Sequence, residues 1–318
     1  MSNDALNPNH LFQHVQDAPY FEVPRSFTKD DSGRIILPQP LGRPKLDAHG
    51  KPVLGHHGEP ILKPVWKAQT SSKLVNDIIE PLEFRFTKFM AIEVVVALII
   101  CFLFIGLAAK IRHGGPPRGR LWNLLEAFLL YLRDVVALPS LGQHDVGRFA
   151  PLVWTVFFFV LGCNLMGLLP WMGSPTGSFA VTVALALVVF LVVLFSGMAQ
   201  LGFVGFWKGL VPHMDLPKPV LFFLWPMVFV IEIFGLLVKH FVLAVRLLAN
   251  MIGGHVVLAV LLAFITLTAG SVVYWGVMPA SVIGATLLNL LELLVAFIQA
   301  YIFAFLTALF IGTAVHPH

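Results

Sequence analysis

A single arginine, Arg246, lies in the middle of an apolar stretch that runs from about residue 221 to the C-terminal tail. A guanidinium keeps its proton in proteins, and an arginine at the centre of a bilayer helix costs roughly 3 kcal/mol on insertion scales. Ionisable groups in membrane helices generally line ion or substrate paths. Arg246 is therefore the first candidate for a functional residue.

Few other charged or titratable groups accompany Arg246 in this stretch. They are Glu232, Lys239, His240, His255 and Glu292, followed only by the histidines of the tail. Glu232, Lys239 and Arg246 are seven residues apart, and Gly253 continues the series. Positions seven apart drift by only about 20° around an α-helix, so they share one face. One face of this segment is therefore expected to be polar.

A second long apolar segment follows, and an antiparallel hairpin of the two segments would bring particular residues to the same depth. In that pairing Arg246 lies level with Gln299, and His255 lies level with Glu292. At 1.5 Å per residue, the second pair lies about 13 Å from Arg246 along the helix. The hairpin thus predicts two polar layers separated by about two and a half turns.

Polar groups are expected on both sides of Arg246. An amide, an imidazole and a carboxylate on one side could relay a proton. These groups belong to Asn250, His255 and Glu292. On the other side the polar positions continue through Lys239 and Glu232. The arginine is therefore interpreted as a barrier between two polar paths.

Plainer roles stay open for several of these residues. Glu232 could pair with Lys239 or stay solvated at the membrane interface by snorkelling. Lys239 and His240 together could be interface anchors, and Asn250 could form a hydrogen bond between helices.

The composition is that of a polytopic membrane protein. Hydrophobic residues make up 58% of the chain and charged residues 12%, against about 25% charged in globular proteins. The net charge is only +4, with the basic residues mostly in loops, so nucleic-acid binding is not expected. Cys101 and Cys163 both fall in apolar runs, which argues against a disulfide framework. No signal peptide, metal site or cofactor is expected.

The chain is expected to be an all-α polytopic membrane protein with about five transmembrane helices and one interfacial amphipathic helix. A span needs about 20 apolar residues. The predicted spans are residues 90–109, 151–169, 179–202, 226–267 and 279–314. Residues 118–138 alternate polar and apolar positions, which is typical of a surface helix, and Pro139 is expected to end it. The last two spans exceed a vertical crossing, so we expect them to be tilted or curved.

The chain divides into a polar amino-terminal extension, residues 1–88, and a membrane domain, residues 89–318. Basic residues cluster in the loops after the first and third spans, and the other short loops carry no charge. They are Lys110, Arg112, Arg118 and Arg120, then Lys208 and Lys218. By the positive-inside rule these loops are cytoplasmic. The extension is then expected to be extracytoplasmic and the C-terminus cytoplasmic.

Three motifs make the chain resemble subunit a of the F-type ATP synthase over roughly residues 85–314. They are the run from Arg246 to Met251 with Gly254 following, the run from Gln299 to Phe303, and the run from Asn164 to Pro170. The resemblance implies that Arg246 is the essential arginine facing the rotor ring. It also implies half-channel or rotor-facing roles for Glu232, Lys239, Asn250, His255, Glu292 and Gln299.

The resemblance implies a function as the proton-translocating stator subunit, with two offset half-channels and no catalysis of its own. The implied partners are the c-ring of small hairpin subunits, the peripheral stalk subunits b, the rest of the ATP synthase complex and the lipid bilayer. The implied location is an energy-coupling membrane, such as the bacterial inner membrane. A sodium-coupled version of the same subunit stays open.

The chain departs from common family patterns at two places. Many bacterial relatives carry glutamate where His255 stands and histidine where Glu292 stands, so the pair is exchanged here. Gly167 stands where some relatives have aspartate, and Ser178 and Ala180 replace other polar residues. The outer path is therefore expected to be less acidic than usual, with His255 and Glu292 carrying more of it.

Two other classes of protein fit the sequence less well. A secondary transporter would bind a solute at the midplane, but paired half-sequences are not evident in the sequence. A structural membrane scaffold would need no charge such as Arg246 at the bilayer centre.

Overall fold

The computed structural model describes residues 87–112, 119–169, 172–211 and 218–315, together with short pieces before residue 54. Those pieces are residues 18, 20–22, 34–37, 45, 47 and 53. Most of the predicted extension, residues 1–88, and the tail, residues 316–318, thus lie outside the described residues. From residue 87 onward the described chain is helical apart from short connections, which confirms an all-α membrane fold.

The helices follow one another closely along the chain. They are α1 (Lys88–Ile111), α2 (Arg120–Tyr131), α3 (Leu138–Gly167), α4 (Phe179–Leu201), α5 (Phe203–Gly209), α6 (Lys218–Thr268) and α7 (Tyr274–Val315). Within the described residues, five helical segments are long and apolar enough to cross a membrane. Helix α2 joins α3 as one of these segments. The short helix α5 was not predicted from the sequence.

The surface helix continues into the second span rather than ending at Pro139. A π-helical turn, Leu132–Ala137, connects α2 to α3, and Pro139 lies in the first turn of α3. Pro139 lies where the π-helical turn gives way to α-helix, so the backbone hydrogen-bond ladder is already irregular there. The prediction that Pro139 ends the helix was therefore wrong. The chain bends instead at Gly142, whose φ of 75° favours glycine. Pro151, the predicted start of the second span, lies inside α3.

The two long helices begin earlier than the sequence predicts. Helix α6 starts at Lys218 and contains Pro226, and α7 starts at Tyr274 and contains Pro279. At 1.5 Å per residue, both are at least twice as long as the roughly 30 Å of hydrocarbon that a span must cross. Their tilt or curvature stays a prediction.

The main core forms where α3 packs against the second half of α7. Leu132, Val153, Phe303 and Ile311 are fully buried there, and α4 and α6 contribute further apolar side chains. Helix α7 approaches α3 closely at Gly312, where any Cβ would overlap the carbonyl of Ser140. This end of α7 is therefore held firmly by packing.

Helix α1 packs on the other side of α3 through a smaller apolar cluster. Phe89, Ile92 and Val96 bury against Cys163. Two short antiparallel strands of the amino-terminal region, β1 (Tyr20–Glu22) and β2 (Arg34–Ile36), lie at this end of α1. Phe21 of β1 packs on the cluster, so the extension contacts the membrane domain.

Candidate functional site

The α6–α7 hairpin brings the predicted polar residues to one region of the bundle. A Cβ built on Gly254 would lie 2.5 Å from Oε1 of Glu292, so the carboxylate rests against the backbone of α6. Nearer the turn, a Cβ on Gly284 would lie 3.7 Å from Cδ1 of Leu261. These neighbours agree, to within one and two residues respectively, with the pairing of His255 and Glu292 predicted from the sequence.

Arg246 lies on the flank of α6, next to the buried face formed by Leu243 and Leu247. Its Nε and Nη2 atoms are buried and have no hydrogen-bond partner. No acidic side chain in the described part of the chain forms an ion pair with it. A half-buried guanidinium without an anion is still costly, so this position favours binding of a negative group from outside the chain.

Four further polar side chains near Arg246 share the same property. Each has a buried atom without a hydrogen-bond partner: Asn250 Nδ2, His255 Nε2, Glu292 Oε1 and Gln299 Nε2. Glu292 and Gln299 are only 4% and 3% exposed. We call Arg246, Asn250, His255, Glu292 and Gln299 the hairpin cluster.

Unpartnered polar atoms are uncommon in protein interiors and cost free energy. The hairpin cluster concentrates five residues with such atoms on two adjacent helices. A grouping of this kind is suited to contact with water, ions or another protein. It marks this part of the hairpin as the candidate functional site.

The cluster residues of α6 wind around that helix. At about 100° per residue, Asn250 and Gly254 lie between Arg246 and His255 around the axis. Glu292, which rests against Gly254, reaches α6 at an intermediate position. The polar groups can therefore form a curved track rather than a straight column.

His255 and Glu292 lie at neighbouring levels but do not bond to each other directly. Within the described residues they form neither an ion pair nor a hydrogen bond. A proton passing between them would need a bridging water or a rotation of one side chain. Direct pairing is thus not what holds either group in place.

Glu232 and Lys239 lie apart from the hairpin cluster. Glu232 is half-buried and Lys239 is exposed. Fourteen residues separate Glu232 from Arg246, which corresponds to about 21 Å along a helix. The structure therefore leaves these two residues on a polar stripe of α6 without bringing them into contact with the cluster.

His240 is buried inside the bundle, so the alternative that it anchors the chain at the interface was wrong. Its ring lies between Phe190 and Phe310, with centroids 5.1 and 4.8 Å away. Its Nδ1 lies 2.9 Å from the carbonyl oxygen of Leu236. The sequence offered no signal for this burial. His240 directly follows the charged residue Lys239, which is exposed.

A second polar group, not predicted from the sequence, lies next to the hairpin. Residues 173–178 connect α3 to α4, and they are mostly buried rather than exposed as a surface loop. The hydroxyl of Thr176 donates to Oδ1 of Asn164 at 2.7 Å, and the Ser174 hydroxyl lies 2.6 Å from that of Thr176. Asn164 Nδ2 faces the carbonyl of Ala296 at 3.5 Å.

The sequence gave only a weak indication of this group. Ser174 and Thr176 carry no charge, and the glycines and prolines around them are typical of any turn. Irregular backbone at membrane depth is tolerated only inside protein or along a water-filled cavity. That rule becomes informative only once the loop is known to be buried.

Large apolar side chains are exposed on the sides of the hairpin that flank the cluster. On α6, Val242 and Val257 lie close to the face of Arg246, each about half exposed. On α7, Leu291, Leu294 and Ile298 form a row at helical spacing. The arginine is thus bordered by apolar surface that is suited to lipid or to another membrane helix.

The chain matches a sequence model of the family described as ATP synthase A chain over residues 90–312. It is 42% identical over 205 residues to the ATP synthase subunit a of Myxococcus xanthus, covering 64% of each chain. It is 39% identical over 214 residues to the ATP synthase subunit a of Anaeromyxobacter dehalogenans, covering 66% of this chain and 53% of that one.

A third similarity extends over more of the other protein. The ATP synthase subunit a of Rhodopseudomonas palustris (strain BisB18) is 38% identical over 237 residues, covering 74% of this chain and 90% of that protein. The matched part thus spans about half to two thirds of the first two relatives and most of the third. Each of these three relatives is named ATP synthase subunit a.

Proposed function

Because this chain belongs to the ATP synthase A chain family, we propose that it is the ion-translocating stator subunit of an F-type ATP synthase. It is a multi-pass protein of an energy-coupling membrane and catalyses no bond formation itself. The observation that carries the proposal is the hairpin cluster, in which Arg246 and four other polar residues have buried, unpartnered atoms.

The partner of Arg246 in this proposal is a carboxylate on a ring of small membrane subunits, the c-ring. An ionised carboxylate facing lipid is costly, but a fixed positive charge beside it offsets that cost. Arg246 supplies such a charge and has no acidic partner in the described residues. The exposed apolar side chains around it, such as Val242 and Ile298, would then pack against ring helices.

The outer half-channel runs through the turn side of the hairpin cluster. Water or a side-chain rotation connects His255 with Glu292, because the two groups do not bond directly. From there Asn250 leads one turn further toward Arg246. A proton taken up along this track neutralises a ring carboxylate, which can then move into lipid.

The inner half-channel runs along the other part of α6, past Lys239 and Glu232. The exposure of Lys239 and the partial burial of Glu232 are compatible with a wet surface that widens away from Arg246. A protonated ring group that returns to Arg246 loses its proton to this side, since the arginine stabilises the ionised form. Gln299, level with Arg246, contributes a neutral amide to the barrier.

The arginine converts ion flow into rotation by blocking the direct route. A charge that crosses 100 mV releases about 2.3 kcal/mol. A proton that passed straight from one half-channel to the other would dissipate that energy as heat. Because Arg246 separates the two, protons travel around the ring and the energy drives rotation.

We infer the orientation from the charges of the loops. Lys110, Arg112 and Lys208 follow the first and third spans, which assigns those loops to the cytoplasm by the positive-inside rule. The α6–α7 turn, residues 269–273, and the amino-terminal extension then lie on the outer side. Peripheral stalk subunits b hold the chain against the torque.

The proposal is tested on the complex purified in mild detergent from the native membrane. The chain should copurify with a ring of small two-helix subunits and a peripheral stalk, and the reconstituted complex should acidify vesicles when ATP is added. A chain that purifies alone and transports a solute would contradict the proposal. ATP-driven uptake of sodium that persists in the presence of a protonophore would instead assign sodium as the coupling ion.

A further inference from the structure

Asn164 lies at the junction of three parts of the bundle. It is 0% exposed, near the end of α3, and faces both the buried loop 173–178 and helix α7. Ala296, whose carbonyl it faces, is one turn from Glu292 and three residues from Gln299. The contact is thus within about 6 Å, along the helix, of both cluster residues of α7.

The hydrogen bonds of this group have only one consistent direction. Asn164 Oδ1 can only accept, so the Thr176 hydroxyl must donate its single proton to it. The Ser174 hydroxyl must then donate to Thr176. The NH₂ group of Asn164 then donates to the carbonyl oxygen of Ala296. The series therefore runs from Ser174 through Thr176 and Asn164 to α7.

The loop reaches this position because residue 167 lacks a side chain. A Cβ on Gly167 would lie 2.8 Å from Oγ of Ser174 and 2.9 Å from Cε of Met251 on α6. Such distances are closer than ordinary packing allows. Gly167 thus lets the loop fit between α3 and α6, which is what carries Thr176 to Asn164.

We propose that Asn164 is a positioning residue, supported by Thr176 and Ser174, that holds α7 at Ala296 so that Glu292 and Gln299 keep their places in the ion path. We call Asn164, Thr176 and Ser174 the clasp. The proposal rests on the proposed function of the hairpin cluster. In it, a neutral group of hydrogen-bonded side chains outside that cluster influences the rate of ion transfer.

The need for a clasp follows from the packing of α7. Its second half is held by the main core, around Phe303 and Ile311. In its first half, large apolar residues such as Leu287, Leu291 and Leu294 are exposed. Ala296 lies where the well-packed part ends. A contact at this point limits how far the carboxylate of Glu292 can shift.

The test compares Thr176→Val with Thr182→Val in the full complex, measuring proton-driven ATP synthesis per assembled complex. Valine matches threonine in shape but removes the hydroxyl. We expect Thr176→Val to lower the rate about fivefold, since losing one bond to a buried amide leaves that amide unsatisfied. Thr182 is equally buried, but its hydroxyl bonds only to nearby carbonyls of residues 178 and 179. Its variant should keep the normal rate.

The size of the effect should fall with distance from α7. Thr176→Ser keeps the hydroxyl and should restore most of the rate, whereas Ser174→Ala should reduce it by about twofold, because it removes only the outermost bond. Ser174→Ala also leaves Asn164 bonded, so it provides a result if the valine variant fails to assemble. Normal rates in both Thr176→Val and Ser174→Ala, or a larger loss in Ser174→Ala, would overturn the proposal.

Asn164→Asp separates positioning from direct proton transfer. An ionised aspartate still accepts from Thr176 but cannot donate to the Ala296 carbonyl, so we expect a loss of about tenfold. A rate equal to or above normal would overturn the positioning role. Failure of the proposed function looks different, because the unaltered complex would then not couple proton flow to ATP synthesis, and the clasp would fall with it.

Discussion

The hairpin cluster and the clasp are two groups of polar side chains with buried atoms in one bundle, and they differ in how their hydrogen bonds are met. The clasp forms a continuous series from Ser174 to Ala296. The hairpin cluster leaves atoms of Arg246, Glu292 and three other residues without partners. Since burial without a partner costs free energy, the second arrangement is expected only where something else supplies the missing interactions.

The two groups differ in this respect even where they contain the same residue type. An asparagine is present in both groups, Asn164 in the clasp and Asn250 in the hairpin cluster. The first has bonds at both ends of its amide, and the second has a buried nitrogen without a partner. The predictions below test whether the unpartnered group carries the ions and the bonded group holds it in position.

The largest effect is expected at Arg246. Arg246→Ala removes the charge that stabilises the ring carboxylate, so ATP-driven acidification of inverted vesicles should be abolished. Arg246→Lys should also fail, because an ammonium is a compact point charge that can lose its proton when buried. Arg133→Ala is the control, because Arg133 is exposed and lies outside the hairpin cluster. Its Nε atom is 3.9 Å from Oδ1 of Asp134. Normal acidification by the lysine variant would remove Arg246 from the mechanism.

The next largest effect is expected at the exchanged pair. His255→Glu or Glu292→His alone would place two similar groups at one level, and should slow proton-driven ATP synthesis by about 10- to 100-fold. The double exchange restores one acid and one imidazole and should recover a substantial part of the rate. The measurement is synthesis in vesicles between about pH 6 and 9. A double variant no better than the worse single one would show that the residues do not act as a pair.

A smaller effect is expected at Gly254. In Gly254→Ala the new Cβ would lie 2.5 Å from Oε1 of Glu292, so the carboxylate must move. Misplacement by about 1 Å can cost up to about 100-fold, and we expect about tenfold for this variant. Gly276→Ala, on α7, is the control because its Cβ meets no atom within 4 Å. Equal rates for the two variants would mean that the place of Glu292 is not critical.

The sequence predicted the features that depend on charge and length. Arg246 was identifiable because an arginine is rare in so apolar a stretch, and the pairing of His255 with Glu292 followed from the regular rise of two helices. The contact of Gly254 with Glu292 agrees with that pairing. The register was predictable because the membrane leaves few alternatives for long helices, and the role of Arg246 stays a prediction.

The features that depend on packing were not predictable. Proline positions were poor guides to helix ends, as Pro139 and Pro226 both lie within helical segments. The burial of His240 and of Thr176 depends on contacts between elements far apart in the chain. Neutral hydroxyl residues in a turn give no sign of such contacts before the fold is known.

The two half-channels on either side of Arg246 can be tested by the side from which water reaches them. The variants Asn250→Cys and Lys239→Cys would be prepared in a chain whose Cys101 and Cys163, both free thiols, are replaced by serine. Intact and inverted vesicles would then be treated with a thiol reagent that does not cross the membrane. The labelled fraction of each cysteine is measured in both vesicle types.

We expect the cysteine at position 250 to react only from the outer side and the cysteine at position 239 only from the cytoplasmic side. Such a result requires a barrier between them, and Arg246 lies between the two positions on α6. Reaction of both cysteines from the same side, or of either one equally from both sides, would contradict the separation of two half-channels by Arg246.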